Sequence, residues 1–159
     1  MLGGIFHVAH VVLAGIWLGG LVFTTAVVSP AFRAMKWSEA ERVAVRSAVG
    51  RQYARVGSVN LVLVALFAVL DGAFGSSGAR FYAEYALLLL LFGLAAVHGA
   101  YFGRRLAELA RAGREASSEE ARTLAERRRS LQRVSLRVSY LNLLVSAAVM
   151  VLAIGTRAG

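Results

Sequence analysis

The chain has 159 residues, is 58% hydrophobic and has a mean hydropathy of +0.62. A soluble domain of that composition would expose large apolar patches, so the chain is expected to lie in a bilayer. It has no cysteine, which excludes disulfide frameworks, iron–sulfur clusters and thiolate metal sites. The net charge of +9 comes without any nucleic-acid recognition module, so it is read as basic segments flanking membrane helices.

Hydrophobic runs of about 20 residues are needed to cross a bilayer as helix. Four qualify, at about 3–29, 57–76, 82–103 and 137–156. The expected fold is all-α: a polytopic, antiparallel four-helix membrane bundle with helical extensions, forming one membrane domain. The N-terminal run lacks a basic n-region and is long for a cleaved leader, so it is read as a retained span. Pro30, the single proline, is expected to end or kink it. The second run is the weakest, because Asp71 and Gly72 interrupt its end.

Charge sets the expected orientation. Arg33, Lys36, Arg42, Arg46, Arg51 and Arg55 lie in segment 33–55, and ten arginines lie between Arg104 and Arg137. The GSSGAR connection has Arg80, and the termini contribute Arg157. The two basic segments, 33–55 and 104–136, are therefore placed in the cytoplasm, with both termini outside the cell membrane. Ser38 followed by Glu41 and Ser117 followed by Glu120 read as capping boxes, so long helices should enter spans two and four. Gly113 is expected to break the third helix from the fourth. The alternating signs of EEARTLAERRR suit a solvated face or contact with anionic lipid headgroups.

Polar residues in the spans line up at helical spacing. His7, His10, Trp17 and Thr24 share one face of the first, and Asn60 and Asp71 one face of the second. Glu84, His98 and Arg105 recur along the third; Ser135, Ser139, Asn142 and Ser146 stripe the fourth. Gly15 and Gly19, on the far side of the first helix, form a small-xxx-small pattern that permits close helix approach or a homodimer. Phe81, Tyr82 and Tyr85 read as an outer aromatic belt and Trp37 as an inner one.

Depth divides the candidates. His7, His10, Asp71 and Glu84 fall near one end, and His98, Asn60 and Asn142 near the other, roughly 15–20 Å away along the helices. His10 and His98 should therefore not hold the same ion. The group His7, His10, Asp71 and Glu84 suits a metal, a proton relay or a structural pin between helices. Trp17, near mid-span, either fills core or flanks a cofactor.

His10, Trp17, Gly20, Leu21 and Phe23 give the pattern H-x6-W-x2-G-L-x-F. It resembles the first helix of the copper-resistance CopD family and of HemJ-type protoporphyrinogen oxidases. HGAYFGRRL, from His98, is similar to the HemJ third helix, and SPAFRAM and RQYARVG resemble small CopD-like proteins of unassigned function. The resemblance implies haem b or copper in the bundle, with His10 and His98 as haem-site residues and Trp17 beside them. Leu87 stands where those oxidases carry a lysine, and YLNLLVSA replaces their acidic-proline signature; both weigh against that activity. Methionines number three, too few for a copper motif. Three readings follow: a haem- or copper-binding protein for redox or metal handling, a haem-dependent oxidase, or a scaffold whose polar seams only fix helix register. No phosphate loop or nucleophile elbow suggests hydrolase or kinase chemistry.

Overall fold

The computed structural model describes residues 2–75 and 78–155, so Arg157 and the two serines of GSSGAR lie outside it. The described chain is all-α, and no strand occurs among the described residues. Helix α1 (Leu2–Phe23) runs through a π-helical stretch (Thr24–Val28) into α2 (Ser29–Ala34). Then come α3 (Glu39–Phe74), α4 (Ala79–Ala96), a second π-helical stretch (Val97–Gly103), α5 (Arg104–Glu115) and α6 (Ser118–Gly155). Four helical runs among the described residues are long and apolar enough to cross a membrane: Leu2–Phe32, Ala44–Phe74, Ala79–Glu115 and Ser118–Gly155. The protein is a multi-pass integral membrane protein.

These helices outrun the bilayer. At 1.5 Å per residue, the 38 residues of α6 span about 57 Å against a hydrocarbon core of about 30 Å. Their starts are sealed locally. Ser38 accepts from the Glu41 N–H while the Glu41 carboxylate accepts from Ser38, a complete capping box that launches α3. Glu120 likewise accepts from the Ser117 backbone N–H and hydroxyl, at 3.2 and 2.9 Å, ahead of α6.

Three local expectations are corrected. Pro30 does not end the first run, since helix continues to Ala34. The π-helical stretch just before it absorbs the missing N–H and the ring; there the Ser29 N–H reaches back to the Thr24 carbonyl. Gly113 does not part the third helix from the fourth: α5 passes through it to Glu115, and the extended backbone falls at Ala116. A glycine costs a helix about 1 kcal/mol but does not stop it, whereas the Ser117 cap starts a new one. The aromatic belt also shrinks. Tyr82 is exposed, but Phe81 is buried and the Tyr85 hydroxyl turns inward to donate to the Ala68 carbonyl at 3.1 Å.

The chain forms two compact units, one of residues up to Leu88 with the chain from Ser146 onward, the other Leu89–Val145. In the first, α1 and α3 run antiparallel. Progressing along α1, His7 meets Asp71, His10 meets Val64, Leu13 meets Asn60, and Trp17 packs on Gly57. The start of α4 and the end of α6 close around them through Tyr85–Ala68, Trp17–Ser146 and Arg80–Gly155. The inner face of α1 is His10, Ala14 and Trp17, at spacings of four and three. Ile5, Val8, Val12 and Ile16 are exposed, as lipid-facing side chains are. The second unit buries Leu91, Phe102, Asn142 and Val145. Its Arg105–Glu108 and Arg111–Glu115 pairs are exposed, so Arg105 does not continue the inward face of Glu84 and His98.

Candidate functional site

The polar interior of the first unit is built by four helices, each contributing what its inward face carries. His10 and Glu84 lie side by side, with Nε2 to Oε1 at 2.5 Å and each side chain 1% exposed. The other ring nitrogen of His10, Nδ1, sits 3.0 Å from the Val64 carbonyl oxygen. A carbonyl only accepts, so Nδ1 must carry a hydrogen and donate it. That fixes the tautomer. Nε2 then either accepts from a protonated Glu84 or, as part of an imidazolium, donates to a Glu84 carboxylate. In both states the pair holds one proton between its two groups and is neutral overall.

One turn nearer the start of α1, His7 Nδ1 lies 2.9 Å from Asp71 Oδ2. Asp71 is buried, but His7 is 14% exposed, and its Nε2 has no hydrogen-bond partner among the described residues. Trp17 donates its indole N–H to the Ser146 hydroxyl at 3.0 Å. Asn60 donates to the Leu13 carbonyl at 3.2 Å. Thr24 turns back on its own helix, donating to the Gly20 and Leu21 carbonyls.

The four outer candidates thus meet as two pairs rather than as one cluster. Among the described residues, no group of three or more His, Cys, Asp or Glu side chains is placed to hold a metal ion. His10 fits a ligand role poorly, because both of its ring nitrogens are engaged and binding iron or copper would displace Glu84. His7 fits better: a carboxylate on Nδ1 with Nε2 open is how metal-binding histidines are usually oriented. Trp17 is committed to Ser146 and packs on Tyr53 and Gly57. In the second unit, His98 lies in the π-helical stretch beside Phe102, its buried Nδ1 without a partner.

Gly15 and Gly19 divide as well. A Cβ on Gly15 would touch Met150 of the same chain, whereas Gly19 faces open space. Tighter glycine contacts lie elsewhere. A Cβ on Gly57 would come within 3.3 Å of the Trp17 ring, and one on Gly72 would overlap the Tyr85 hydroxyl.

Sequence reasoning missed the Val64 and Leu13 carbonyls, since backbone acceptors leave no trace in residue type. It also missed the Trp17–Ser146 contact. Both residues sat on inward faces, but nothing in the sequence paired them.

Residues 12–115, well over half of the chain, match the family described as Domain of unknown function (DUF4149). The chain belongs to this family. The DUF4149 match takes in Trp17, Asp71, Glu84 and His98 and begins just after His10. No curated protein and no solved structure matches the chain.

Proposed function

We propose that this DUF4149 protein is a proton-binding membrane protein whose centre is the His10–Glu84 pair. The supporting observation is that an imidazole and a carboxyl group, each 1% exposed, share a hydrogen bond inside membrane-spanning helices. Ionisable groups in such a place are costly, and their usual return is chemistry or transport that moves charge or protons. A structural pin would be made more cheaply by an apolar pair of the same volume. The centre takes up or gives up a proton as the protein works on a second component of its reaction or transport cycle. Potentiometric titration of the detergent-solubilised protein tests this reading. The wild type should bind one more proton per chain than Glu84→Gln, and identical curves would refute it.

A second reading rests on His7. Its Nδ1 faces Asp71 and its Nε2 is open, which suits one ligand to haem b or copper in a redox or metal-handling protein of the CopD- or HemJ-like kind. His98, with an unpaired Nδ1, is the other imidazole with a nitrogen to offer. When bound, such a group would supply electron transfer. An absorption spectrum and metal analysis of protein prepared with haem and copper test this reading. It requires bound haem or metal that is lost in His7→Ala, and it falls if none binds.

In this account the arginine-rich segments lie in the cytoplasm against anionic headgroups, with the helix ends near His7 on the outer side.

A further inference from the structure

We infer that His10 is the closed end of a proton store that opens through Glu84, and not a link in a proton wire. The inference rests on the proton-binding reading above and adds a direction to it.

An imidazole is a link in a chain of proton transfers only if it accepts on one nitrogen and releases from the other. His10 has lost that ability. Its Nδ1 hydrogen points at the Val64 carbonyl at 3.0 Å, and an amide oxygen does not keep a proton. The Val64 carbonyl also belongs to the interior of α3, so it cannot turn aside without breaking the helix.

Only the Nε2 side remains, and Glu84 covers it. The proton accounting is then closed. At rest one proton sits between Nε2 and Oε1. A second proton arriving on the free Glu84 oxygen gives a neutral carboxyl group beside an imidazolium, with net charge +1. Loss of the resting proton, once the carboxyl group has turned its O–H away from Nε2, gives imidazole and carboxylate, with net charge −1. In neither case does a proton leave by Nδ1, so whatever enters through Glu84 must return through Glu84.

The surrounding groups agree with access from the end of the unit where α1 and α4 begin. On α1 and α3 the titratable neighbours are His7 and Asp71, one turn nearer that end, with His7 the more exposed of the two. On α4, Tyr85 is tied to the Ala68 carbonyl. Arg80, at that same end, is held by the Gly155 carbonyl of α6. Toward the other end, α6 offers Ser146, already accepting from the indole of Trp17. The acid–base pair His7–Asp71 thus lies on one side of the centre, while Trp17, Ser146 and the Tyr53 phenol lie on the other.

Hydrogen exchange followed by nitrogen-15 NMR of the histidines tests the inference in the full-length protein, reconstituted in lipid and moved into deuterated buffer. The hydrogen bonded between Nε2 and Glu84 should exchange, with loss of its signal, while the Nδ1 hydrogen of His10 is retained. Exchange of the Nδ1 hydrogen as fast as the other would overturn the inference. These outcomes differ from failure of the proton-binding reading, which appears as identical titration of the two proteins.

Discussion

The Tyr85 hydroxyl of α4 donates to the Ala68 carbonyl of α3 at 3.1 Å, and it reaches that carbonyl over Gly72, where a Cβ would overlap it. Gly72, which weakens the second span as a hydrophobic run, leaves the space that the Tyr85 hydroxyl occupies. Its neighbour Asp71, the other interruption, is the partner of His7.

Gly72→Ala should displace the Tyr85 hydroxyl from the Ala68 carbonyl at a net cost of about 1 kcal/mol, the lost hydrogen bond being partly offset by the better helix propensity of alanine. Combining it with Tyr85→Phe should cost less than the sum of the two changes, because removing the hydroxyl removes the overlap. Thermal unfolding of the single and double variants in detergent checks this; strict additivity would show that the two residues do not meet.

Ser146→Ala should cost about 1–3 kcal/mol, because it strands the buried indole N–H of Trp17. In a Trp37→Phe background, the remaining tryptophan fluorescence should be shielded from aqueous quenchers in both the presence and the absence of Ser146. Strong quenching in the parent would place Trp17 in water and contradict the buried site.

The two histidines should rank differently. His10→Ala leaves Glu84 buried without a partner and should cost about 3–5 kcal/mol, while Glu84→Gln keeps a hydrogen bond to Nε2 and should cost far less. His7→Ala should cost less than His10→Ala, since His7 is partly exposed. Unfolding midpoints of the three variants decide the order, and equal losses at His7 and His10 would contradict it.

Low pH should fray the start of α3. The Glu41 carboxyl is held below its ordinary value by hydrogen bonds from the Ser38 side chain and backbone N–H. A depressed carboxyl stabilises the fold above its unfolded value of about 4.3, and that contribution is lost as pH falls through the lower, folded value. Hydrogen exchange of the amides in the first turn of α3 should speed up over that acid range in the wild type. In Ser38→Ala exchange should already be fast at neutral pH; equal protection in the two proteins would contradict the cap.

Local and periodic features were legible in the sequence. The four spans follow from hydropathy, the caps from Ser38/Glu41 and Ser117/Glu120, and the inward faces of His10, Asp71, Glu84 and Ser146 from helical spacing. What the sequence withheld was rotation and pairing between helices. Placing His7, His10, Asp71 and Glu84 at one depth does not say that they divide into two pairs, nor that a backbone carbonyl takes the second nitrogen of His10. Phe81 and Tyr85 looked like interfacial aromatics because they begin a span, yet the room above Gly72 draws Tyr85 inward. Pro30 looked like a stop or a kink, and the residue types do not encode the backbone widening before it that carries the helix on.

The proposed function places one exchangeable proton between His10 and Glu84 inside the membrane. Infrared difference spectra of the reconstituted protein, recorded as the bath pH is stepped, test it most directly. A carboxyl band should respond to the step, shift in deuterated buffer and be absent from Glu84→Gln. Identical difference spectra for the wild type and Glu84→Gln would contradict it.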